Sequence, residues 1–105
     1  MVRGELFRLR VPRGTRGSEQ RGSRYAVIVQ ADELLALSTV LVSPTSTSVP
    51  ARSFRPTIEL NGAPTRVLVE QTTAVSPDRL GESVGRLNAA ELRDLDAALT
   101  LVLGL

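Results

Sequence analysis

Two stretches of this chain carry side chains whose types and spacing could do chemistry. The first, residues 14–30, opens as a polar loop with Gly14, Gly17 and Gly22 and the arginines Arg16, Arg21 and Arg24. It ends in the apolar run Tyr25-Ala26-Val27-Ile28-Val29. Glycines let such a loop turn tightly or approach a ligand closely. Arg24 stands where loop becomes strand, so the scaffold rather than a mobile tip positions it. A guanidinium stays charged and offers a planar fork of donors suited to anionic oxygen. The second stretch is Ser43-Pro44-Thr45-Ser46-Thr47-Ser48, five hydroxyls within six positions. Composition alone reads the first equally well as a solvated hairpin loop, and the second as a Ser/Thr-rich linker or cap.

The elements that must position these groups are short. Leu6 to Val11 alternates at period two and reads as a half-buried strand closed by Pro12. Residues 26–30 form an apolar strand, and residues 32–37 a short helical turn with Asp32 near its start. Residues 39–42 are rich in β-branched side chains and uncharged, which predicts a strand buried on both faces. Residues 54–60 and 65–71 read as strands around Asn61-Gly62, a strong hairpin signal, with Val67 and Val69 on one face. Pro77 opens one helical turn, and residues 82–87 form a last strand. The one convincing helix starts at Asn88, which makes a capping box with Glu91, while Leu87 and Leu92 make a hydrophobic staple. Leu92, Leu95, Leu99, Val102 and Leu103 form a stripe that must cover a sheet or meet a partner helix, and Gly104 can end it. Short strands followed by one amphipathic helix predict a mainly β fold, a small curled antiparallel sheet. Periodicity does not separate an SH3-like barrel from an OB-like one.

Composition removes whole classes of mechanism. With no cysteine and no histidine, thiolate nucleophiles, disulfides, sulfur-ligated zinc and the usual neutral-pH proton shuttle are absent. No metal and no cofactor are expected. A chain of 105 residues is expected to form one domain over residues 1–105. No apolar span or signal-peptide core interrupts it, so a cytoplasmic protein without membrane association is expected. The net charge of +2 hides an asymmetry: residues 1–30 carry +5 and residues 59–105 carry −3. All thirteen basic residues are arginine. A positive first third favours an anionic partner.

The segment Gly17-Ser18-Glu19-Gln20-Arg21-Gly22-Ser23-Arg24, followed by a hydrophobic strand, resembles the signature of the MazF/PemK family of toxin endoribonucleases, or mRNA interferases. Arg3-Gly4-Glu5-Leu6-Phe7 is similar to that family's opening strand, and Val40-Leu41-Val42-Ser43-Pro44-Thr45-Ser46 to its second active-site strand and loop. Val67-Leu68-Val69-Glu70-Gln71, Arg79-Leu80, Gly85-Arg86-Leu87 and the closing helix match its second half in order. The resemblance implies an SH3-like barrel with a C-terminal helix, assembled as a homodimer, which cuts single-stranded RNA and is neutralised by a cognate antitoxin. It implies a catalytic arginine at Arg24 and a catalytic hydroxyl at Ser46, where the family has threonine, with Thr47 as the alternative. It implies a supporting role for Glu19 and RNA contacts from Gln20, Arg21 and Arg16. Tyr25 stands where the family commonly has proline, and Thr73 where many relatives carry an arginine.

The chemistry so implied needs neither histidine nor metal. RNA holds its own nucleophile, the 2′-hydroxyl beside the scissile phosphate. Arg24 would act as an electrostatic clamp on the phosphoryl oxygens and Ser46 as a hydrogen-bond donor. Two other readings use the same fold: a catalytically silent barrel that binds nucleic acid or peptide, and a gyrase-directed toxin.

Overall fold

The computed structural model describes residues 1–10 and 24–105. Its centre is β2 (Tyr25–Ile28), whose Ala26, Val27 and Ile28 are fully buried. Three consecutive apolar residues point to alternating faces of a strand, so both faces must be covered. Val27 joins Leu6, Ile58, Val67 and Leu95 in one core, while Ala26 and Ile28 join Val40, Val42, Val75 and Leu80 in a second.

β1 (Glu5–Leu9) lies on one side of β2 and β3 (Val40–Ser46) on the other. β3 is long and shared. Its first half pairs with β6 (Thr73–Val75), while Thr45 and Ser46 pair with β5 (Ala63–Val67). With β4 (Thr57–Leu60) and β7 (Leu80–Arg86), the antiparallel order is β4-β5-β3-β2-β1-β7, with β6 beside β3. A strand that exchanges partners midway bends the sheet around its core, giving the curled, mainly β architecture expected from the sequence.

The helix α1 (Ala89–Leu103) closes the first core. Its capping box is formed: Glu91 N donates to Asn88 Oδ1 at 2.8 Å, and Asn88 N donates to Glu91 Oε1 at 2.9 Å. The other carboxylate oxygen, Glu91 Oε2, accepts from Glu59 N at 2.9 Å and so ties the helix start to β4. Gly4 has a positive φ of 89°, which strains any other residue, and a Cβ there would lie 2.8 Å from Leu92 Cδ2 and push that side-chain tip aside. At the far end Gly104 adopts the left-handed conformation and caps the helix. Asn61 and Gly62 both have positive φ, as a two-residue turn joining β4 to β5 requires.

Two expectations need correction. Residues 39–42 are not buried on both faces: Leu41 is 42% exposed, as is its cross-strand neighbour Ala74 in kind. β-Branched content signals a strand but not how many of its faces are covered. The predicted strand over 65–71 is divided, because a 3-10 turn at Val69–Gln71 follows β5. Gln71 N donates to Leu68 O and Thr72 Oγ1 to Val69 O, closing that turn, although Val67 and Val69 still share one core. The leucine stripe of α1 is only half used. Leu95 and Ala98 are buried against the sheet, whereas Val102 and Leu103 are exposed.

Candidate active site

A cleft of about 580 Å³ opens where β2 begins, β3 ends and the β4–β5 hairpin turns. Arg24, Tyr25, Thr45, Ser46, Thr47, Ser48, Asn61 and Thr65 line it, with Leu60, Ala63 and Leu68. Arg24 and the hydroxyl segment, separate in sequence, are thus brought together. The cause is β-pairing: Ala26 lies opposite Pro44, so the residues preceding β2 run beside those ending β3. Leu9 N donates to Arg24 O at 2.8 Å, which fixes the Arg24 backbone to β1 and leaves its side chain exposed.

The five hydroxyls of residues 43–48 divide into structural and available groups. Ser43 is fully buried, and its Oγ lies 2.6 Å from Thr72 Oγ1. Because the Thr72 proton goes to Val69 O, Ser43 donates to Thr72. Thr45 Oγ1 donates to Tyr25 O at 3.0 Å. The remaining three, Ser46, Thr47 and Ser48, are left to the cleft. Ser46 Oγ accepts from Ser48 N at 3.2 Å and lies 3.2 Å from Ser48 Oγ, a local turn that fixes the oxygen. Among the described residues Thr47, which is exposed, has no comparable restraint. Arg24 is the only charged residue among those described that line the cleft. A cationic, hydroxyl-lined cleft suits an anionic oxygen ligand.

Ser46, Thr47 and Arg24 therefore share one site. Arg16, Glu19, Gln20 and Arg21 lie outside the described residues. Tyr25 and Asn61 are cleft residues that sequence reasoning passed over, treating one as a replaced proline and the other as a turn former. The Arg8 guanidinium lies 5.5 Å from the Tyr25 ring centroid, and Arg8 Nη2 and Asn61 Nδ2 approach its hydroxyl at 3.4 and 3.5 Å. Tyr25 thus links β1, β2 and the hairpin at the cleft wall. Only the order of strands, which no local pattern encodes, brings Asn61 there.

A second tie holds the chain that follows the hydroxyl segment. Arg55 Nε and Nη2 lie 2.8 and 2.7 Å from Glu70 Oε2, and Arg55 stacks 5.2 Å from the Phe54 ring centroid. Burial pushes the Glu70 carboxyl up, but the Arg55 hydrogen bond and charge, with a backbone hydrogen bond, outweigh it and hold the carboxyl below its ordinary range. The loop between β3 and β4 is thereby fastened to the 3-10 turn. Among the described residues no three carboxylates gather in a metal-holding arrangement, and no helix is long and apolar enough to cross a membrane.

Comparison with known proteins gives this geometry a lineage. The chain is 36% identical over 106 residues to the candidate toxin Rv3098A of Mycobacterium tuberculosis, covering 100% of this chain and 99% of that one. It is 34% identical over 116 residues to endoribonuclease MazF9 of the same organism, covering 100% of this chain and 98% of the relative. A mycobacterial endoribonuclease solved in complex with its cognate antitoxin has the same fold, with a TM-score of 0.78 at 17% identity over 100% of this chain and 96% of that one. The model of the PemK-like, MazF-like toxins of type II toxin–antitoxin systems matches residues 2–103, and the chain belongs to that family.

Proposed function

We propose that this chain is the toxin of a toxin–antitoxin pair and a sequence-specific endoribonuclease for single-stranded RNA, whose cleavage of messages in the cytoplasm stops translation and growth. The observation that carries the reading is the meeting of Arg24 with Ser46 in one hydroxyl-lined cleft, in a chain of this family. The scissile phosphate would lie between them. The 2′-hydroxyl oxygen of the preceding nucleotide attacks phosphorus and loses its proton. The bond to the 5′-oxygen of the next nucleotide breaks, and that oxygen takes up a proton. The products are a 2′,3′-cyclic phosphate and a free 5′-hydroxyl, with no water consumed. Arg24 offers two donors to the phosphoryl oxygens as charge develops. Ser46, its oxygen already accepting from Ser48 N, is free to donate its own proton to the phosphate or the leaving oxygen. Serine attack is not part of the scheme, since the chain has no histidine to activate it.

The absence of histidine and cysteine from the sequence, and of a carboxylate trio among the described residues, supports a metal-independent route. A homodimer is the proposed assembly, and an extended antitoxin segment occupying the cleft the proposed means of neutralisation; the mycobacterial endoribonuclease of this fold is likewise found with a cognate antitoxin. The test is an RNA oligonucleotide carrying the mapped cleavage sequence, with one 2′-deoxy substitution immediately 5′ of the cut. Binding should survive and cleavage stop, while the unmodified oligonucleotide is cut in EDTA. Continued cutting at that bond, or a 5′-phosphate product, would refute the mechanism.

A further inference from the structure

Arg66 has no part in the scheme above, yet the sheet places it beside the reacting groups. It lies in β5 directly opposite Ser46 of β3, and opposite Thr57 of β4 on its other side. Directly paired residues of antiparallel strands send their side chains to the same face, with Cβ atoms roughly 4.5–5.5 Å apart. Ser46, Arg66 and Thr57 therefore share a face. The β2–β3 ladder ends at Ala26–Pro44, and just beyond it Arg24 and Ser46 meet in the cleft. The row across the strands is Ser46, Arg66, Thr57 at a spacing of roughly 4.8 Å, with Arg24 on the β2 side of Ser46.

The side chain of Arg66 is also left incomplete. Its Nε is shut off from solvent with no hydrogen-bond acceptor among the described residues. Arg3 pairs with Asp96 and Arg55 with Glu70, whereas Arg66 has no ion pair among the described residues. A buried donor without an acceptor is destabilising, the more so when charged. No carboxylate among the described residues meets its charge, which an anionic ligand with several acceptor oxygens would. Arg66 does not line the cleft that holds Arg24 and Ser46 but lies one strand further along the row. That position extends the path of a bound polyanion instead of crowding its reacting phosphate.

We infer that Arg66 is a second phosphate-binding residue, which holds the phosphodiester adjacent to the one at Ser46 on the side away from Arg24. The inference rests on the RNA-cleaving reading. It assigns Arg66 to substrate positioning, since the group it holds does not react. A single-stranded polyanion is the ligand these observations favour: Ser46 and Thr57 stand on either side of Arg66 on the same face, and both hydroxyls can donate to phosphate oxygens.

The experiment measures binding of the 2′-deoxy-blocked RNA oligonucleotide to wild type, Arg66→Met and Arg66→Lys across a range of salt concentrations. Arg66→Met keeps an unbranched stem and removes the charge. Its slope of log K against log salt should be shallower than wild type by about 0.7, the loss of one single-strand phosphate contact. Arg66→Lys should restore the slope. Replacing individual phosphates by methylphosphonates should weaken wild type at the linkage next to the cut, and at that linkage Arg66→Met should lose nothing further. An unchanged slope in a folded Arg66→Met protein, or full additivity at every linkage, would overturn the inference. It would return Arg66 to bracing β3 against β5 or to meeting a carboxylate of a protein partner. Failure of wild type itself to bind or cut the RNA would be seen in the unmodified arm and would bring down the RNA reading and this inference together.

Discussion

Thr45 Oγ1 donates a 3.0 Å hydrogen bond to the carbonyl oxygen of Tyr25. The bond joins the end of β3 to the start of β2, between the chain neighbours of Ser46 and Arg24. It lies past Ala26–Pro44, the last register pair joining those two strands, and so continues the tie where the ladder stops. Thr45→Val keeps the shape and removes the donor. The half-buried carbonyl then lacks its side-chain partner, which should cost about 1–2 kcal/mol of stability. The RNA-cleavage rate should fall while RNA binding changes little. Equal rates in the two proteins would show that the spacing of Arg24 and Ser46 does not depend on this bond.

The roles proposed for the cleft side chains separate by substitution. Arg24→Ala should abolish cleavage and leave folding intact, because the side chain is exposed and its charge acts on the substrate. Arg24→Lys should recover little, since a point charge cannot reproduce the fork. Ser46→Ala should lose roughly 2–4 kcal/mol of transition-state stabilisation, measured as kcat/KM. Thr47→Ala should lose much less, because the local turn that fixes Ser46 Oγ has no counterpart there. Equal defects at 46 and 47 would move the hydroxyl role to their joint action.

How far the sequence revealed this arrangement depends on the range of the signal. The helix start was legible because Asn88, Glu91, Leu87 and Leu92 carry it within six residues, and the β4–β5 turn because Asn61-Gly62 is chemically specific. The break after Val67 was not, because Val67 and Val69 keep strand-like alternation into a turn closed by Thr72. Likewise the hydroxyl segment read as linker or cap, whereas β3 runs through it to Ser46. Pairing across the sheet, which no local pattern encodes, makes Ser43 structural and places Arg66 opposite Ser46.

Acid should loosen the molecule at two identifiable carboxylates. Ser83 Oγ donates to Glu5 Oε2 at 2.6 Å, and this bond, with Val2 N and the positive charges of the N-terminus and Arg86, outweighs burial and holds the Glu5 carboxyl below its ordinary range. Glu70 is lowered as well. A carboxyl depressed in the folded state contributes stability that is present above its unfolded pKa and is lost as pH falls through the folded value. Unfolding free energy should therefore be flat down to about pH 5 and decline below it. In Glu5→Gln the decline should be shallower than in wild type, and a slope identical in both proteins would remove Glu5 from this account.

The helix supplies the last prediction, because its apolar stripe serves two different surfaces. Leu95 is fully buried, whereas Val102 is 37% and Leu103 63% exposed. The inner residues meet the sheet of their own chain, and the bare last turn is the surface expected to contribute to the homodimer contact. Light scattering at micromolar concentration should give about twice the 11.3 kDa of one chain. Leu95→Ala should cost about 2–5 kcal/mol of stability without changing the mass, since the cavity it opens lies inside one subunit. The paired change Val102→Glu with Leu103→Glu should have the opposite profile, leaving secondary structure in place and halving the mass, because charge is tolerated in water but not in a dry contact. A dimer that persists in that double variant would move the interface to another surface, such as the one carrying the exposed Leu41 on β3. A wild-type monomer that still cuts RNA would defeat the dimer altogether.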